Sequence, residues 1–204
     1  MPSRTEILAG LTLIANRTEE LAVFWHIALA ALGAALLFGW RPSRRALALG
    51  LSAPLASVAA CALYFGNPFN GVTFAATALA GAVLAYRSPS APLVVASSWP
   101  RALGALLVSF GWMYPHFLEG PGVKYLYAAP LGVIPCPTLS AAIGIALLGN
   151  GLVGGAWSRL LAAVGAFYAV FGAARLGVVI DLILLAGALG LFAQTWRARL
   201  VAGP

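Results

Sequence analysis

The sequence predicts an all-α, polytopic bundle of about seven transmembrane helices, with six as the alternative. Three observations lead there. First, the 204 residues are 62% hydrophobic and 8% charged, and the mean hydropathy is +0.94. A soluble domain is roughly 25% charged. A core of this length could not hide so much apolar surface, so lipid must solvate much of the chain. Second, the apolar residues fall into runs close to the ~20 that a spanning helix needs. Third, the breaks between runs carry turn chemistry: "RPSRR", "GNPFNG", "YRSPSAP", "EGPGVK" and "GNGLVGG".

Residues 1–20 read as an amphipathic leader. Ile7, Leu8, Leu11 and Ile14 form its apolar stripe, suited to lie on the membrane surface. Glu19 and Glu20 stand directly before the first strongly apolar run, which a cleavable signal does not show. Residues 21–196 form the bundle. Its segments run over 21–40, 46–65, 72–86, 102–118, 134–153, 157–173 and 177–196. Residues 197–204 are a short cytoplasmic tail. Alanine and glycine are abundant within the segments, as in "ALAALGAALLFG". Small residues let helix backbones approach closely where lipid supplies no hydrophobic force.

Orientation follows from Lys and Arg in alternate loops. One set holds Arg41, Arg44, Arg45, Arg87, Arg101, Arg159, Arg197 and Arg199; the other holds Arg4, Arg17, Lys124 and Arg175. The first set is the larger and is expected in the cytoplasm. The N-terminus is then outside and the C-terminus inside a bacterial inner membrane. The formal charge of +7 is spread over loops and helix ends. It does not gather into the basic face that nucleic acid requires, so no nucleic-acid partner is expected.

The fifth segment opens on "VIPCPTLS", residues 133–140. Two prolines inside a helix would each cost about 3 kcal/mol or more, whereas a proline in the first turn costs little. The helix is therefore expected to start here, with Cys136 as cap and Pro137 at or near the first helical position. Thr138 and Ser140 can bond the backbone locally. A thiol at a helix N-terminus feels the positive end of the dipole, which favours redox or soft-metal chemistry. The alternative is a small buried residue beside a proline turn. Cys61, within an apolar run, reads as a core residue.

Other polar residues gather on the same predicted side. His116 and Glu119 stand three apart at the outer end of the fourth helix and so share a face, with a solvated helix end as the alternative. Asp181 lies near the start of the seventh helix, where an ion pair with Arg175 is the structural alternative. His26 lies within the first, where an interfacial hydrogen bond is the alternative. Ionisable groups in a membrane segment are functional candidates because burying them unpaired is expensive. Cys136, His116, Glu119, Asp181, His26 and Thr138 are the candidate lining of an outward-facing polar pocket. Cys136 and His116 are the candidate metal ligands among them. No cofactor is expected, with Zn or Cu as the alternative, since these residue types bind both. The spacing matches no recognised metal motif. No G-x-S-x-G elbow, P-loop or dinucleotide fingerprint is present.

The stretches "YFGNPFNGVTFAATALAGAVLA", "YPHFLEGPG", "GVIPCPTLSAAIGIALL" and "LGVVIDLILLAG" together resemble a family of bacterial multi-pass membrane proteins known as a domain of unknown function. The resemblance covers roughly residues 60–196, and its most specific part is the Pro-Cys-Pro-Thr motif. The chain departs from that pattern at Leu139, where the family has a second Thr. It departs again at Val179-Ile180, where a Pro before the acid is expected. The resemblance implies an integral membrane bundle and brings no established activity.

These features predict a lipid-embedded protein that binds or passes a small solute or ion. The alternatives are a membrane metal or redox protein or enzyme using Cys136, and an accessory structural subunit.

Overall fold

The computed structural model describes residues 3–152 and 155–202, with side chains placed through Arg197. The predicted end of the fifth segment at Val153 and the last residues of the tail lie outside them. Among the described residues the regular elements are all helical, with no strand: α1 (Arg4–Arg17), α2 (Glu19–Leu37), α3 (Arg44–Gly50), α4 (Ser52–Tyr64), α5 (Pro68–Arg87), α6 (Ser98–Trp112), α7 (Pro135–Leu148), α8 (Gly155–Val170) and α9 (Leu182–Ala202). Several boundaries have a local cause. Ser3 and Glu6 close a capping box on α1. Pro54 cannot donate to the Gly50 carbonyl, so one span breaks at Leu51 into α3 and α4. Asn67 caps α5 through the Asn70 amide, with Pro68 just inside the helix.

Among the described residues five helical stretches are long and apolar enough to cross a membrane: Glu19–Leu37, Arg44–Tyr64, Pro68–Arg87, Gly155–Arg175 and Val179–Arg197. By that measure the chain is a multi-pass membrane protein, but the count is five rather than seven. The two remaining segments are shorter helices. α6 stops at Trp112 because the residue before Pro115 is pushed out of helical geometry. α7 has 14 residues, bounded by Pro135 and the Gly149 cap.

α7 is nevertheless the centre of the molecule. Twelve of its residues are buried, and it packs against α4, α6, α8 and α9. Its contact with α6 is backbone on backbone. A Cβ on Gly144 would lie 2.7 Å from the Gly104 carbonyl oxygen, and one on Gly111 would lie 2.9 Å from the Ala141 amide nitrogen. Only glycine permits this approach.

With α3 and α4 counted as one span, the loops collect at two ends. At one end the backbone of Arg44 donates to Ala91, Leu93 to Pro42 and Ala96 to Leu148. That end holds the larger predicted set of arginines, Arg41 to Arg197. The other end holds α1 and the starts of α5, α7 and α9. The predicted stripe on α1 is buried there, with Leu11 and Ile14 packed among Cys61, Val133, Ile134, Leu176 and Val178. The leader is thus seated on protein. α2 is the least enclosed span. It is held by Trp25 Nε1 donating to Ser57 Oγ at 3.0 Å and by His26.

Candidate functional site

Two prolines and a wide helical turn build the site. α7 starts two residues earlier than expected. Ile134 is the cap, Pro135 the first helical residue and Cys136 the second. Both prolines still fall within the first turn, where a missing N–H breaks no helical bond. Opposite, α8 ends in a π-helical turn over Phe171–Arg175. The chain reverses at Gly177, whose φ of 70° is left-handed. It then enters the 3-10 turn Val179–Asp181 that leads into α9. Val178 N–H donates to the Gly172 carbonyl at 2.9 Å, which closes the elbow. A Cβ on Gly172 would overlap Asp181 Oδ2, so glycine here makes room for a carboxylate.

Asp181 is buried, with 1% of its surface exposed. It accepts two hydrogen bonds, one at each oxygen. Tyr114 Oη donates to Oδ1 at 2.8 Å, and Cys136 Sγ donates to Oδ2 at 3.2 Å. Tyr114 reaches it because the chain turns inward before Pro115, setting the ring between Phe110 and Phe117 at centroid distances of 5.3 and 6.2 Å. The ion pair between Asp181 and Arg175 that stood as the structural alternative is not formed among the described residues. Among the described residues the salt bridge is Lys124 with Glu19, at 2.8 Å.

Cys136 and Asp181 open onto a cavity of about 650 Å³. Phe65, Phe69, Phe117, Phe171 and Tyr168 supply aromatic wall. Asn67, Asn70, Glu6 and Arg175 supply its remaining polar groups. Tyr168 Oη donates to Asn70 Oδ1 at 2.9 Å. The cavity therefore offers apolar walls and one carboxylate–thiol pair. That pattern suits a small ligand with an apolar body and a single polar head.

The other predicted lining residues stand elsewhere. α6 ends before His116 and Glu119, so no helical face unites them. Both are exposed. His116 packs edge-on against Phe117, with centroids 4.4 Å apart, and partial burial lowers its pKa. Glu119 donates its backbone N–H to Asn16 Oδ1 at 2.9 Å. His26 is buried, with Nδ1 2.8 Å from the Ala22 carbonyl oxygen and Nε2 2.9 Å from that of Trp112. It ties α2 to the end of α6. Thr138 Oγ1 accepts from Gly132 N–H at 2.8 Å and donates to the Ile134 carbonyl at 2.7 Å. It fastens the loop to the start of α7. None of the four lines the cavity. Cys136 and His116 do not converge, and among the described residues no three His, Cys, Asp or Glu side chains gather as a metal site.

Tyr114, Tyr168 and the α1 residues of the cavity are absent from the predicted lining. Tyr114 carried one usable signal. A buried carboxylate needs donors, and a Tyr-Pro pair closing a segment places a phenol at the same end of the bundle. Comparisons with protein-family models, with curated proteins and with solved structures return no match to this chain.

Proposed function

We propose that this chain binds a small solute in the cavity at Cys136 and Asp181, and passes it across a bacterial inner membrane. The single observation that carries this reading is the hydrogen-bonded set of Tyr114, Asp181 and Cys136 at the wall of a 650 Å³ cavity. A purely structural polar cluster inside a membrane would be closed on itself. In this one Cys136, partly exposed, and Asp181 border a cavity, with Tyr114 behind them. The smaller basic set, Arg4, Arg17, Lys124 and Arg175, lies at the cavity end, which supports an outward-facing mouth.

A second reading has its own observation. The thiol hydrogen of Cys136 points at a carboxylate 3.2 Å away, the arrangement of a nucleophile beside a proton acceptor.

One experiment separates the two. The chain holds two cysteines, so Cys61→Ala leaves Cys136 as its single thiol. A membrane-impermeant maleimide is then expected to label Cys136 in intact cells. Labelling only in inverted vesicles overturns the orientation, and labelling in neither overturns an open cavity. Adding Asp181→Asn sets the roles apart. If Asp181 merely holds the thiol hydrogen, alkylation accelerates. If it activates the thiol as base, alkylation slows.

A further inference from the structure

The walls of the cavity combine two features that point to one ligand chemistry. The first is a carboxylate without a cation. Both oxygens of Asp181 accept from neutral donors, Tyr114 and Cys136, and no described Lys or Arg pairs with it. A buried charge that lacks a counter-ion is expensive, and a ligand that supplies one recovers that cost. The second feature is the aromatic wall. Phe65, Phe69, Phe117, Tyr168 and Phe171 line the same space. Ring faces carry negative potential and attract cations, most strongly where water is excluded. Charge balance agrees. The charged side chains lining the cavity are Glu6, Arg175 and Asp181, two acids and one base. The cavity is thus net negative within a chain of formal charge +7.

From these observations, and resting on the binding reading above, we infer that the cavity takes a lipophilic organic cation, an ammonium or phosphonium with an apolar body. Asp181 is its counter-ion and the five rings its cage. Glu6, on α1 at the cavity wall, adds to the attraction. Arg175, on the π turn, opposes it and sets which approach the cation takes. Gly172 is a positioning residue, because it leaves the space that Asp181 occupies.

The test uses the full-length protein purified in a neutral detergent, with tetraphenylphosphonium as probe and triphenylphosphine oxide as an uncharged analogue. Isothermal calorimetry is expected to show saturable binding of the phosphonium and far weaker binding of the analogue. Asp181→Asn keeps the side-chain shape and is expected to weaken phosphonium binding about thirtyfold or more. Phe171→Leu is expected to weaken it about threefold. Size-exclusion elution and thermal unfolding check that both variants are folded. Equal binding of the phosphonium and its analogue, unaffected by Asp181→Asn, overturns the cation assignment and leaves the binding cavity standing. No binding of either probe, together with no maleimide labelling of Cys136, overturns the cavity as a binding site. Undiminished phosphonium binding by a folded Asp181→Asn protein overturns the role of Asp181.

Discussion

Glycine does opposite work in two parts of this bundle. Along α6 and α7, Gly104, Gly111 and Gly144 let two backbones touch, and the seam is filled. At the elbow between α8 and α9, Gly172 holds open the space that the Asp181 carboxylate fills. The first arrangement excludes everything and gives rigidity. The second admits a polar group and keeps it beside a cavity. Composition cannot tell the two apart, since both read as a small residue in an apolar segment. The distinction lies in what each glycine faces: a carbonyl of the neighbouring helix, or an acid nine residues further along its own chain.

Breaking the seam should have the largest effect. Gly144→Val drives side-chain atoms into the backbone of Gly104 and Val108. It should cost about 3 kcal/mol or more, read as loss of a folded species in thermal unfolding of the detergent-solubilised protein. The elbow should behave differently. Gly172→Ala should leave the protein folded but displace Asp181 from Cys136. A hydrogen bond to a charged group contributes about 1.5 kcal/mol or more. The alkylation rate of Cys136 should therefore move about tenfold, in the same direction as in Asp181→Asn. An unchanged rate in Gly172→Ala would remove the distinction between the two glycine sites.

Two smaller predictions sharpen the comparison. Thr138→Val removes two buried hydrogen bonds at the start of α7. It should lower stability by about 1–3 kcal/mol, while the reactivity of Cys136 stays within a factor of two or so. Lys124 and Glu19 form an ion pair at the partly exposed cavity end. Glu19 holds the Lys124 ammonium above the ordinary lysine value of 10.5. What the pair contributes is fully present below that value and is lost as pH rises through the raised one. Lys124→Met should therefore produce a barely measurable change in Tm at neutral pH, and none once the lysine of the parent protein is deprotonated.

The sequence was most legible where one residue imposes one backbone consequence. Pro135 and Pro137 marked the start of α7 to within two residues, whereas α5 begins at Pro68, four residues before the expected 72, because Asn67 and Pro68 cap and open a helix where they had read as part of a turn. The stripe on α1 was readable from its period. That it seats on Cys61 and Ile134 was not, because a lipid surface and a protein surface both accept Leu11 and Ile14. Cys136 and Asp181 were expected at one pocket and do meet. His116 and Glu119 did not follow, because Pro115 ends the helix that would have paired them. Tyr114 was missed for a related reason. Its direction depends on an irregular turn, and hydropathy periodicity speaks only about regular elements.

The prolines flanking Cys136 have a last consequence. An ordinary helix presents four amides without a helical partner at its start, and phosphates and carboxylates are chelated there. Here two of those four positions are imino acids and the Ile134 amide donates to the Pro130 carbonyl, so Cys136 alone carries a hydrogen to offer. The helix keeps its axial polarity yet has shed most of the hooks by which an oxyanion would be grasped. Under the proposed binding role, a mouth built this way discriminates by subtraction, leaving the sulfur to face whatever settles against the acid.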